Sequence, residues 1–185
     1  MKKLLAAALI TVVAPFANAA DYEFDKVHTQ ILFSVSHLGF STSTGAFVEF
    51  DGDFSFDPEN IEAATVNVEV QTDSIDMNNS TWNSHLSGEK WFNVAEHPTM
   101  VFKSTSVKST GDNTMDIMGD LTILGVTKPV VLNAKLNKIG KAFGKDRIGF
   151  DATANIDRSE FGLTNAIPGI PAEVLLRITV EGVKS

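Results

Sequence analysis

The chain contains no cysteine. That excludes a disulfide framework, a thiolate nucleophile, cysteine-ligated zinc or iron–sulfur clusters, and a lipidated cysteine. Basic residues are scarce: 15 Lys and Arg stand against 23 Asp and Glu, for a net charge of −8. Nucleic-acid binding, which needs a basic surface to meet phosphates, is therefore not expected. Beyond the first residues no apolar run is long enough to span a bilayer. What is present is a core: 43% of the 185 residues are hydrophobic, 13 of them Phe, which suits one folded domain and excludes disorder.

The N-terminus reads as a secretory signal. Met1-Lys2-Lys3 is a basic start, Leu4 to Val13 is an apolar run, and Ala17-Asn18-Ala19 has the small-x-small form of a cleavage site. The expected boundary puts a signal peptide at residues 1–19 and a single domain at 20–185, exported to the periplasm. Loss of Lys2 and Lys3 takes the charge of the remaining chain to −10. Without disulfides, that chain must be held by its core alone.

Period-two alternation recurs throughout, and long helical periodicity does not. Ile31, Phe33 and Val35 share one strand face, as do Val66, Val68 and Val70. Similar sets follow at Met115 to Ile123, Val130 to Leu136, Ile148 to Ile156 and Val174 to Val180. Gly, Pro and Asp clusters separate them. One apolar and one polar face per strand indicates an antiparallel sheet with a single buried side. About eight such strands suit a closed barrel, although a β-sandwich has the same alternation.

Two segments break the pattern. Phe47 is out of phase with Phe50, Phe54 and Phe56, so a β-bulge is expected near Val48 or Glu49, with a bend at Gly52. Residues Met77 to Pro98 predict a short helix capped by Ser80 and ended by Gly88, then a loop through Trp91-Phe92 acting as a plug or flap.

Charge is uneven. Residues 20–76 hold twelve acids and only one base, Lys26. Lys135, Lys138, Lys141, Lys145 and Arg147 crowd one predicted hairpin. That hairpin is a candidate contact for anionic lipid or an anionic head group.

Several blocks line up with a known family. They are Phe33-Ser-Val-Ser-His-Leu-Gly-Phe40, Gly45 with Phe47, Phe50-Asp-Gly52, Phe56-Asp-Pro58, His85-Leu86, Trp91-Phe92-Asn-Val94, His97-Pro98 and Phe102-Lys-Ser-Thr105. The most specific are Gly119-Asp-Leu-Thr-Ile-Leu-Gly-Val-Thr-Lys-Pro129 and Arg158-Ser-Glu-Phe-Gly162. In this order the chain resembles the YceI family over nearly its whole length. The resemblance implies an all-β fold: a lipocalin-like eight-stranded antiparallel β-barrel with a short helix in one connection. It also implies an apolar lumen that binds a polyisoprenoid or similar long-chain lipid, with no established catalysis. Two arginines habitual in that family are absent, one before His85-Leu86 and one where Ala46 stands.

The candidate ligand-binding residues are Phe33, Val35, His37, Phe54, Phe56, Val68, His85, Phe102, Leu121, Phe150 and Leu176. The same residues would form an ordinary filled core, since an eight-stranded barrel either packs its interior or holds one small ligand. Small inward residues, Ala134, Ala152 and Ala154, would leave room for a chain. A charge of −10 favours a neutral head, such as a quinone, prenol or fatty amide, over a pyrophosphate. The expected function is an exported carrier for an isoprenoid, quinone-type or similar lipid. The alternative is a stress-response or accessory partner with a filled barrel.

Catalysis is not expected: no G-x-S-x-G elbow occurs. The four His lack metal-ligand spacing, and no calcium-loop pattern accompanies Asp51, Asp53, Asp57 and Glu59, which are expected to face outward. No cofactor is expected beyond the lipid itself. His37 and His85 rank first for a role at the mouth, where a head-group enzyme would place its titratable groups. Arg158 is expected to pair with Asp157 or Glu160. Ile167 and Ile170 either cover the barrel end or form a portal lip. The expected partners are the lipid, a transient membrane contact and, as a further candidate, a second copy of the chain as a homodimer.

Overall fold

The computed structural model describes residues 19–185. The signal peptide expected at 1–19 therefore falls, but for its last residue, outside the described residues. Eleven strands form one antiparallel sheet that closes on itself. They are β1 (Ala20–Phe24), β2 (Gln30–His37), β3 (Ser41–Phe47), β4 (Phe50–Phe56), β5 (Thr65–Gln71), β6 (Ile75–Asp76), β7 (Thr99–Gly111), β8 (Thr114–Ile123), β9 (Val126–Ala142), β10 (Lys145–Asp157) and β11 (Glu173–Lys184). One α-helix, α1 (Ser80–Ser87), sits between β6 and β7.

The eleven segments make eight staves. β1 and β2 are one interrupted stave, as are β3 with β4 and β5 with β6. Each stave pairs with the next in chain order, and β11 closes the ring on both β1 and β2. The expected eight-stranded antiparallel barrel with one short helix is therefore the observed fold. Closure removes the free edges that an open sheet would leave.

The three interruptions have local causes. Residues 25–29 bulge from the first stave and are tied back at Glu181: the Asp25 amide donates to its carbonyl at 2.8 Å, and its amide donates to Thr29 Oγ1 at 3.2 Å. The second break falls at residues 48–49, where the Phe phase required it, and places Phe47 and Phe50 both inside. Gly52 follows with φ +146°, and a Cβ there would collide with the Asn67 carbonyl, so the bend requires glycine. The third break is a 3-10 turn over Thr72–Ser74.

Antiparallel order sorts the connections into two ends. Residues 38–40, 77–98, 124–125 and 158–172 gather at one. Residues 57–64, 112–113 and 143–144 gather at the other, where Phe56, Ile61 and Ala64 pack into the interior and close it. Asp57 also lies there and corrects an expectation. It is buried rather than outward, and its carboxylate accepts from the Glu59 amide at 2.9 Å. The turn needs a side-chain acceptor, and that decides its direction.

The interior has two stacked apolar clusters. One, around Phe54, Phe56, Phe102 and Met115, lies toward the closed end. The other, around Phe47, Phe50, Met100, Phe161 and Leu163, lies toward the opposite end. Three inward glycines make room for aromatic rings. A Cβ on Gly45, Gly119 or Gly182 would strike Phe33, Phe102 or Phe54 respectively. These rings lie back against bare backbone instead of filling the axis of the barrel.

Candidate functional site: an apolar lumen and its mouth

A cavity of about 530 Å³ runs along the barrel, within the roughly 300–1,000 Å³ range of small-molecule sites. All eleven residues nominated from sequence lie on its wall: Phe33, Val35, His37, Phe54, Phe56, Val68, His85, Phe102, Leu121, Phe150 and Leu176. Ala134 and Ala152 face each other across β9 and β10 and also line it, leaving width where larger residues would close the channel. Among the described residues its only ionisable side chains are His37, His85 and Arg158, and no Asp or Glu reaches it. A surface so poor in polar groups favours an apolar chain and carries little means of directional recognition.

The mouth is built by three connections clasped together. Helix α1 begins one residue earlier in its capping than expected: Asn79, not Ser80, is the cap, and its side-chain oxygen accepts from the Trp82 amide at 3.1 Å. Asn83 then pins the helix to β6. Its side-chain amide donates to Asp76 Oδ1 at 3.1 Å, and its oxygen accepts from the Met77 amide at 2.8 Å. These bonds hold the Asp76 carboxyl below its ordinary pKa, the Asn83 donor contributing most and the Asn78 amide next. Trp82 then lies 5.9 Å from the His37 ring, at the tip of the β2–β3 hairpin. Further along, Phe92 meets Phe47 edge-on at 5.6 Å. Trp91 offers its face to the Arg158 guanidinium at 5.5 Å. The connection is a collar around the opening, with Met77, Trp82, His85, Leu86, Trp91 and Phe92 on the cavity wall.

Arg158 departs from expectation. It forms no ion pair with Asp157 or Glu160. Its guanidinium, only 5% exposed, donates instead to four backbone carbonyls: Pro171 at 3.1 Å, Asn165 at 2.9 Å, Ile170 at 2.8 Å, and Leu163. Burial lowers its pKa from the usual guanidinium value, and Asp157 partly opposes that shift. The carbonyls face inward because residues 158–172 wrap back over the barrel end, so one planar fork with five donors satisfies a whole loop. Asp157 is occupied otherwise, accepting from the Ser159 amide at 2.8 Å as a cap. Ile170 of that loop points to the cavity while Ile167 stays exposed, so the loop is both cover and lip.

The basic hairpin also differs from expectation. β9 leaves the mouth and β10 returns to it, so the turn that joins them, with Lys138, Lys141, Lys145 and Arg147, lies toward the closed end and cannot reach a head group at the opening. Arg147 is committed there: its Nη1 lies 2.6 Å from Asp25 and 2.9 Å from Glu181. Asp25 also meets His28 at 3.0 Å, and its pKa falls far below the usual carboxylate range, Arg147 contributing most and His28 next. Asp25, His28 and Glu181 do bring ligand-type atoms within 4.8 Å, a convergence the sequence spacing did not reveal. The Arg147 guanidinium already supplies the positive charge between the two carboxylates.

With this geometry in place, the comparisons decide the family. The sequence model of the "YceI-like domain" matches residues 22–182. The chain belongs to the YceI family. A "UPF0312 protein" of Ectopseudomonas mendocina (strain ymp) is 42% identical over 189 aligned residues, spanning 100% of this chain and 99% of that relative. Among solved structures, Burkholderia cenocepacia BcnA superposes with a TM-score of 0.79 at 21% identity, covering 85% of this chain and 98% of its own. A domain from Saccharophagus degradans, described as polyisoprenoid binding, superposes with a TM-score of 0.66 at 13% identity, covering 91% and 100%. These structural likenesses bear on the fold. The YceI barrel accounts for the collar and lumen described above.

Sequence reasoning missed several wall residues. Phe24 was hidden by the first stave interruption, and Phe50 and Met115 were assigned to strand faces without being placed in the lumen. Arg158 was masked by the acids beside it in sequence. Its signal was the stretch that follows, residues 161–172, which is long, irregular in pattern and without a carboxylate to pair it.

Proposed function

We propose that this YceI-family protein is a carrier or sequestering protein for a long-chain lipid of the polyisoprenoid or quinone type, acting in the periplasm after export. The observation that carries the reading is the continuous apolar cavity, about 530 Å³, to which every stave contributes. The Saccharophagus degradans domain described as polyisoprenoid binding shares the fold and supports the ligand class. Burying about ten CH₂ groups supplies on the order of 8 kcal/mol before ordering and association costs. The head group in this reading is neutral. Arg158 already donates to four carbonyls, and among the described residues no Lys or second Arg stands on the wall to neutralise a pyrophosphate. Binding rather than catalysis is supported by the absence of any carboxylate beside His37 and His85 on that wall among the described residues. Export rests on the leader pattern of residues 1–19.

The test is mass spectrometry of organic extracts from protein isolated from its native envelope, with N-terminal sequencing of the same sample. A stoichiometric lipid with a neutral head, on a chain beginning at Ala20, is the expected result. A blank that persists after incubation with polyprenols and quinones would refute the carrier reading.

A further inference from the structure

The mouth of the barrel is free of formal charge to an extent that the rest of this acidic chain is not. No Asp, Glu, Lys or Arg occurs in residues 27–48, 77–88, 121–127 or 161–172. These stretches are separate in sequence, yet they supply the β2–β3 hairpin, helix α1, the β8–β9 turn and most of the long loop before β11, all at the open end. The same connections carry exposed large apolar side chains: Phe40 at 89%, Leu38, Trp82, Val126 and Ile167. The hairpin and the long loop are fastened together, the Leu38 amide donating to the Gly169 carbonyl at 3.0 Å. A largely uncharged, apolar ring thus borders the opening of an apolar cavity, interrupted in the second half of the collar, where Glu89, Lys90 and Glu96 are exposed.

We propose that this ring docks the protein mouth-down on an electrically neutral lipid surface, so that cargo passes between bilayer and lumen without crossing water. The proposal rests on the lumen being the cargo site. Charge complementarity argues for the occupant. Along the β2–β3 hairpin, helix α1 and residues 161–172 the rim has no ionic groups to desolvate against zwitterionic head groups, and Trp82 suits a membrane interface. The acids at this end, Asp76, Glu89, Glu96, Asp157, Glu160 and Glu173, outnumber the bases Lys90 and Lys128 and repel an anionic surface, and the lysine-rich hairpin lies at the far end. Separate side chains on connection tips, with an opening between them, also suit a soft bilayer better than a rigid protein face. The lysines of that hairpin would drive the opposite orientation only on anionic lipid.

The experiment is cosedimentation with phosphatidylcholine vesicles. It compares the wild type with Phe40→Ser/Ile167→Ser and with Lys138→Gln/Lys141→Gln/Lys145→Gln. None of these five residues lines the cavity, and thermal melts check that each variant folds. Wild-type binding should persist in about 1 M salt, where the screening length is roughly 3 Å. It should fall about tenfold or more in the rim variant, since Phe40 alone supplies that much on burial. The lysine variant should bind as the wild type does. Three results overturn the proposal: no association with phosphatidylcholine; association only with phosphatidylglycerol, lost in salt and in the lysine variant; or a dimer in sedimentation that the rim variant abolishes while vesicles stay unbound. Quenching of Trp82 and Trp91 by decylubiquinone separates the two readings. It should be unchanged in the rim variant, whereas vesicle association without quenching would leave docking intact and remove the lumen reading.

Discussion

Replacing Arg158 with Met tests the most connected residue of the mouth. Met keeps an unbranched apolar stem against Trp91 but removes all four donors to the carbonyls of Leu163, Asn165, Ile170 and Pro171. A charged hydrogen bond contributes roughly 1.5–3 kcal/mol, so four would sum to more than about 6 kcal/mol if independent. They are not independent, because the loop is partly exposed at Thr164 to Ala166 and water can recover some carbonyls. A loss of about 3–5 kcal/mol is expected, as for other broken buried charge networks. For a chain of this size that lowers Tm by about 6–20 °C. Arg158→Lys should lose about half as much, since one ammonium cannot reach four carbonyls. Thermal unfolding followed by circular dichroism measures the global cost. Amide hydrogen exchange at Leu163 and Ile170 measures whether the loop opens first. A loss below about 1 kcal/mol in the Met variant, or unchanged exchange there, would refute the view that this guanidinium holds the loop.

Three further outcomes follow from the lumen and the closed end. Ala134→Leu with Ala152→Leu fills the channel from facing positions; decylubiquinone quenching should drop at least about tenfold while Tm holds or rises, and undiminished quenching would place the ligand elsewhere. Gly119→Ala sets a Cβ against Phe102 and the Lys103 carbonyl, costing about 1–3 kcal/mol by urea unfolding, and an unchanged midpoint would show that the ring yields freely. Asp25 has a depressed folded-state pKa, so its contribution is complete above its unfolded value of about 3.9 and is lost as pH falls below that. Asp25→Asn should therefore lower the urea midpoint near neutral pH and narrow the difference from wild type as the pH drops through the acid range; a constant difference would separate the Arg147 cluster from acid stability.

The lumen wall was legible because period two assigns faces without knowing partners. Phe33 and Val35, or Phe54 and Phe56, must share a side, and the apolar side of a closed sheet faces its axis. The misreading of Arg158 has the opposite cause. Its neighbours in sequence, Asp157 and Glu160, suggested an ion pair, whereas the loop's path over the barrel end turned four carbonyls toward it. The basic hairpin was likewise found in sequence, but only stave direction put its tip at the closed end.

Sequence alone determined which residues alternate, where the strand phase slips at residues 48–49, and that residues 77–98 break the sheet with a capped helix, because these follow from local stereochemistry and short-range periodicity. It also concentrated formal charge away from residues 27–48, 77–88 and 161–172. Tertiary structure decided that eleven segments close as eight staves, that these uncharged stretches meet around one opening, and that small residues and set-back aromatic rings leave a cavity there. Those outcomes depend on pairing and packing between residues far apart in the chain, such as Glu181 with Asp25 and Ala134 with Ala152, and no local pattern encodes which distant partner a strand will find.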